Sequence, residues 1–141
     1  MEKKLLIRTE KLCKTFAQGE HQEHILQNID LEIYQEDFTV IMGASGSGKS
    51  TLLYLLSSMD RPSLGKVIFA GRDITACSED EAALFRREHC GFIFQQIHLI
   101  DSMSVMDNLI VCGLLGGQSR EQPHPLSEER KDTGRVQSTR I

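Results

Sequence analysis

An apolar run of strand length, Phe38-Thr39-Val40-Ile41-Met42, enters the segment Gly43-Ala44-Ser45-Gly46-Ser47-Gly48-Lys49-Ser50-Thr51 and leaves it through Leu52-Leu53-Tyr54-Leu55-Leu56. This β-branched run followed by a Gly/Ser turn and a leucine-rich stretch dictates a buried strand, a tight loop and a helix. The loop carries the spacing G-x-x-x-x-G-K-S/T, with Gly43, Gly48, Lys49 and Ser50 at its defining positions. Glycines let the backbone adopt positive φ and come close to a ligand. Successive N–H groups at the positive end of a helix dipole then form a concavity that holds phosphate oxygens. The pattern predicts Lys49 on the β- and γ-phosphates and the Ser50 hydroxyl on Mg²⁺. A nucleoside triphosphate is the expected ligand. A Gly/Ser turn with no ligand is the alternative, and the flanking strand and helix argue against it.

Composition narrows the class. The 141 residues suffice for one domain with a core, and 40% hydrophobic with 26% charged residues is ordinary for a globular chain. A net charge of −4 offers no basic footprint for nucleic acid. No apolar run is long enough for a bilayer, and Met1 to Arg8 lacks the apolar segment of a signal peptide. Membrane association is therefore expected only through a partner, with the cytoplasm as the address. Cys13, Cys77, Cys90 and Cys112 show no C-x-x-C spacing and read as free thiols. His21 and His24 beside Glu20 and Glu23 fall in a polar stretch without further ligands, which fits a solvated loop rather than a metal site.

In chain order, residues 3–16 and 25–34 alternate apolar and polar and read as two antiparallel strands joined by a loop over 17–24. A helix is expected from Lys49 to about Met59, ended by Asp60-Arg61-Pro62-Ser63-Leu64-Gly65, and a short strand over 66–70. Ser78-Glu79-Asp80-Glu81 is a capping box for a helix to about His89. Cys90 to Phe94 reads as a buried strand, and Ser104 as the cap of another helix with Asp107 at its third position. Residues 118–141 hold only Leu126, Val136 and Ile141 as clearly apolar side chains, so a disordered tail is expected over 121–141.

The stretch Gly91-Phe92-Ile93-Phe94-Gln95-Gln96-Ile97-His98-Leu99-Ile100, followed by Ser104-Val105-Met106-Asp107-Asn108-Leu109, resembles the nucleotide-binding domain of ABC transporters. The resemblance is nearest to the lipoprotein-release, macrolide and antimicrobial-peptide exporter subgroup. Leu12-Cys13-Lys14-Thr15-Phe16, Ser63-Leu64-Gly65-Lys66-Val67 and Gly71-Arg72-Asp73-Ile74 resemble further segments of that family. The resemblance implies an α/β fold, with a P-loop NTPase-type core and an N-terminal antiparallel β-subdomain. It implies ATP and Mg²⁺ as ligands, with Phe16 stacking on adenine and Gly43 to Thr51 holding phosphates and metal. Gln95 would contact Mg²⁺ and the attacking water. Its implied partners are a transmembrane permease subunit and a second nucleotide-binding domain, at the inner face of the cell membrane.

The same family requires a Walker B strand ending in Asp-Glu, an LSGGQ signature and a switch histidine, and none stands here in recognisable form. Ile97-His98-Leu99-Ile100-Asp101 and Leu115-Gly116-Gly117-Gln118 are only echoes of them. The expected architecture is thus incomplete, with residues 1–120 as the N-terminal part of the domain and an unpaired apolar edge at Phe38–Met42. Three other classes stay open: a nucleotide-binding fragment without turnover, a small-molecule kinase on the same P-loop, and a non-functional remnant.

Overall fold

The computed structural model describes residues 3–96, 98–115 and 136–140. They fall into two units, residues up to Ala82 together with the strand 136–140, and residues from Ala83 onward.

The first unit is built on a four-stranded antiparallel sheet in the order β2-β1-β4-β5. Strands β1 (Leu5–Gln18) and β2 (His21–Tyr34) form a long hairpin that closes at Gly19-Glu20. The expected loop over 17–24 is therefore strand except for the turn at Gly19-Glu20. Thr15 pairs with His24, with the Thr15 hydroxyl 2.8 Å from His24 Nδ1, and the ladder continues to Gln18 opposite His21. Polar composition concealed an extended hairpin whose cross-strand partners satisfy the backbone. Strand β4 (Leu64–Phe69) pairs with the other edge of β1, and the two-residue β5 (Arg72–Asp73) with β4. Leu12, Leu26, Leu31 and Val67 are buried on this sheet.

Strand β3 (Phe38–Met42) is exposed at Phe38 and Met42 and half-buried between them, not the buried strand expected, because burial needs layers packed on both faces. It leads through the loop to α1 (Lys49–Leu56), whose Leu52, Leu55 and Leu56 are buried. The helix stops earlier than expected: Ser57 donates its backbone N–H and its hydroxyl to Leu53 O, and a turn returns the Met59 N–H to Tyr54 O. Strand β6 (Val136–Arg140) lies parallel to β3, with Phe38 opposite Val136 and Met42 opposite Arg140. The disordered tail expected over 121–141 thus fails for 136–140, and the edge expected to be unpaired at Phe38–Met42 has a partner. Backbone pairing to an edge strand needs no apolar side chains, so composition gave no sign of it. The rest of that tail lies outside the described residues.

Helix α2 (Glu79–His89) spans the boundary between the units and opens on the expected capping box. Ser78 donates its N–H and hydroxyl to Glu81 Oε2 at 2.9 and 3.0 Å, and the Glu81 N–H returns to Ser78 Oγ. In the second unit the segment 90–96 is neither strand nor buried. Phe92 and Phe94 stack on each other with ring centroids 5.7 Å apart, and Ile93 is fully exposed. A buried strand needs ladder partners, and among the described residues no strand pairs with this segment. Helix α3 (Val105–Leu115) starts as expected at Ser104, whose hydroxyl donates to Asp107 Oδ2 and accepts the Asp107 N–H.

Candidate nucleotide site

The loop Gly43–Gly48 is shaped from within. The Ser47 N–H donates to Ala44 O, and Lys49 turns back over the loop to donate to Ala44 O at 2.6 Å and Gly43 O at 3.0 Å. Its ammonium is thereby held at the loop's centre, where phosphate oxygens would compete for the same donors. Gly48 caps α1 in the left-handed conformation, φ 85°, with no side-chain cap and no acidic residue in the first turn. The first intrahelical bond runs from the Leu52 N–H to Gly48 O, so the N–H groups of Lys49, Ser50 and Thr51 have no partner within the helix. Donors without a helical partner at the positive end of α1, with a cation beside them, are the groups an anion site requires.

Gly48 is obligatory for a second reason. A β-carbon there would lie 2.8 Å from Ile25 Cγ2 and 2.9 Å from Leu26 Cδ2. The start of α1 is thus seated directly on strand β2, and only a residue without a side chain allows that approach.

A cavity of about 230 Å³ opens on this loop, lined by Phe16, Ile25, Gly46, Gly48, Lys49, Ser50 and Thr51. The structure therefore brings Phe16, near the end of β1, together with Gly46 of the loop, 30 residues further on. Phe16 is 44% exposed, leaving ring surface for a ligand. Gly43 and Ala44 serve the loop through their carbonyls, and Ser45 is exposed on it. Gln95 belongs to the second unit, on the exposed segment that follows Phe94. Among the described residues no Asp or Glu lines the cavity, and there is no group of three or more His, Cys, Asp or Glu able to hold a metal.

Two residues to which sequence reasoning gave no individual role stand out in the structure, one in each unit. Asn108 accepts the Ile100 N–H at 2.8 Å and donates to the carbonyls of Ile100 and Ser104, clasping the segment before α3. Lys14 lies with its ammonium 5.0 Å from the centre of the Phe16 ring. For Asn108 the signal was an amide in the first turn of a helix; for Lys14 there was none beyond its place two residues before an aromatic.

The sequence profile of the family described as ABC transporter matches residues 26–140. The chain belongs to the ABC transporter family. It is 38% identical over 128 residues to the macrolide export ATP-binding/permease protein MacB of Marinobacter nauticus, covering 91% of this chain and 20% of that protein. The MacB protein of Rhodopseudomonas palustris is 42% identical over 111 residues, 79% of this chain and 17% of that protein. Among solved structures, a dimeric bacterial ABC transporter cassette superimposes with a TM-score of 0.77 at 32% identity. That match covers 83% of this chain and 50% of the solved one. A dimeric post-hydrolysis state of an ATP-binding cassette bound to ADP and Pi gives 0.75 at 31% identity, covering 84% of this chain and 50% of the other. The fold is that of the ABC cassette. The chain spans about a fifth of these MacB proteins and half of the solved cassettes. The family match continues to residue 140, past the limit near residue 120 expected for the resemblance.

No helix among the described residues is long and apolar enough to cross a membrane.

Proposed function

We propose that this chain is the nucleotide-binding part of an ATP-binding cassette serving an exporter, and that its ligand is Mg-ATP. The observation that carries the proposal is the single cavity on which Phe16 and the phosphate loop both open. In this reading Phe16 stacks on adenine, and the unpaired N–H groups of Lys49, Ser50 and Thr51 receive phosphate oxygens. Lys49 gives up the carbonyls of Gly43 and Ala44 for the β- and γ-phosphates. Mg²⁺ would neutralise charge on the triphosphate. Among the described residues the cavity offers it two hydroxyls, Ser50 and Thr51, and no carboxylate, which fits a metal that arrives already held by phosphate oxygens. Gln95 acts on metal and water only in a complete cassette.

The same lining favours binding over turnover in these 141 residues, because hydrolysis requires a carboxylate on the metal and a group that orients water. The MacB relatives named as ATP-binding/permease proteins and the dimeric cassettes support two partners, a permease and a second cassette. Such partners would put the chain at the cytoplasmic face of the membrane, within a MacB-like exporter.

Calorimetry of Mg-ATP binding to the chain and to Lys49→Ala, with phosphate release followed in parallel, tests this. Losing charge-assisted bonds from the ammonium should weaken binding by about 10- to 100-fold, with release at background in both proteins. Absence of binding by the unaltered chain would overturn the nucleotide proposal. Turnover abolished by Lys49→Ala would overturn the separation of binding from hydrolysis.

A further inference from the structure

Lys14 is an unusual lysine. It is buried, with only 9% of its surface exposed, yet it lies on β1 at the end of the sheet that carries Phe16. Its ammonium donates to Asp60 Oδ1 and to the Arg61 carbonyl, both at 2.7 Å. An ammonium has three N–H groups, and with two spent on oxygens the third direction remains for the Phe16 ring, whose centroid is 5.0 Å away. Asp60 is in turn fastened to the phosphate-loop helix, because its N–H donates to the carbonyl of Tyr54 in α1. A continuous path thus runs from the aromatic ring through Lys14 and Asp60 to the helix whose first turn forms the anion site. Lys14 does not line the cavity, whereas Phe16 does.

We propose that Lys14 is a positioning residue of the nucleotide site, which fixes the Phe16 ring as a base platform at a set place relative to the phosphate loop. This rests on the Mg-ATP proposal above and adds a residue to it. The cation holds the ring by its π face and draws on its electron density, while Asp60 and the Arg61 carbonyl keep the ammonium from swinging into water. Without the ammonium the ring, already 44% exposed, gains rotamer freedom that a stacking base must then remove. The phosphate loop keeps its own internal bonds and is unaffected. Lys14 therefore contributes to recognition of the base and not of the phosphates.

The test compares ATP with inorganic tripolyphosphate, which has the phosphates and no base. Lys14→Met keeps the length and apolar stem of the side chain and removes the charge. It should weaken ATP by about three- to tenfold and leave tripolyphosphate within about twofold. Lys14→Arg, which keeps a cation for both the ring and Asp60, should restore ATP affinity. In a Phe16→Leu background the Lys14→Met change should cost no further ATP affinity, since the ring it positions is gone. Asp60→Asn, which leaves Lys14 in place but weakens its anchor, should show the same ATP-selective loss and carries the test if Lys14→Met does not fold. Unchanged ATP affinity, or equal losses for ATP and tripolyphosphate, would overturn the proposal. Loss of tripolyphosphate binding in Lys49→Ala with no Lys14 effect would sink this inference alone, whereas an inert Lys49→Ala would sink the nucleotide proposal itself.

Discussion

Replacing Gly48 with alanine tests whether the phosphate loop is held in shape by its seat on β2. Two costs add. An alanine at φ 85° and ψ 11° stands in the left-handed region, which costs about 1–2 kcal/mol. Its β-carbon would also meet Ile25 Cγ2 at 2.8 Å, Leu26 Cδ2 at 2.9 Å and the Ile25 carbonyl oxygen at 3.2 Å. The two methyl groups can yield only by disturbing a packed site, since Leu26 is 1% exposed, and overpacking of that kind costs about 1–3 kcal/mol. Gly46 is the internal control. It has a similar φ of 79°, but a β-carbon there meets nothing within 4 Å, so Gly46→Ala incurs the backbone cost alone. Urea unfolding of the two variants should therefore differ by about 1–3 kcal/mol, a midpoint difference of about 1 M for a chain of this size. Gly48→Ala should also weaken tripolyphosphate more than Gly46→Ala, because relief of the clash lifts the start of α1 from the sheet. Equal midpoints for the two variants would refute the claim that close approach to β2, rather than backbone conformation, makes Gly48 necessary.

Two further predictions follow from the site and the caps. Magnesium titrated alone should show no binding, because the described lining offers it the Ser50 and Thr51 hydroxyls and no carboxylate; with ATP present, Ser50→Ala should remove most of the metal's effect on ATP affinity, as read by calorimetry with and without chelator. Hydrogen bonds from the Ser78 backbone and hydroxyl hold the Glu81 carboxyl below its usual range, and bonds from Thr75 with help from Lys66 do so for Asp73. Lowered folded pKa values mean a contribution to stability that is present above the unfolded carboxylate values, about 4, and lost as pH falls through the folded ones. The urea midpoint should hold above about pH 5 and decline below it, and Ser78→Ala should flatten part of that decline.

What could be read without coordinates was local. The strand-loop-helix at Phe38–Leu56, the boxes at Ser78–Glu81 and Ser104–Asp107, and the alternation in β1 and β2 all rest on interactions within a few residues. The order and type of neighbouring side chains determine those interactions wherever the chain goes. Errors arose where a distant partner decides. The stretch 17–24 is polar and reads as loop, yet a ladder across the hairpin makes most of it strand. Cys90 to Phe94 is apolar and reads as buried strand, yet no described strand pairs with it and its two phenylalanines stack on each other.

The candidate site divides along the same line. Gly43, Gly48, Lys49 and Ser50 were legible in the sequence, because the glycines, the cation and the hydroxyl lie on one short loop whose backbone is itself the proposed binding surface. Only the tertiary structure decided that Phe16 opens on the same cavity, that Lys14 and Asp60 join the ring to α1, and that β6 pairs with β3. Each of these joins residues far apart in sequence through sheet pairing or packing. Such pairings are selected by the closure of the whole fold, and no window along the chain records that selection.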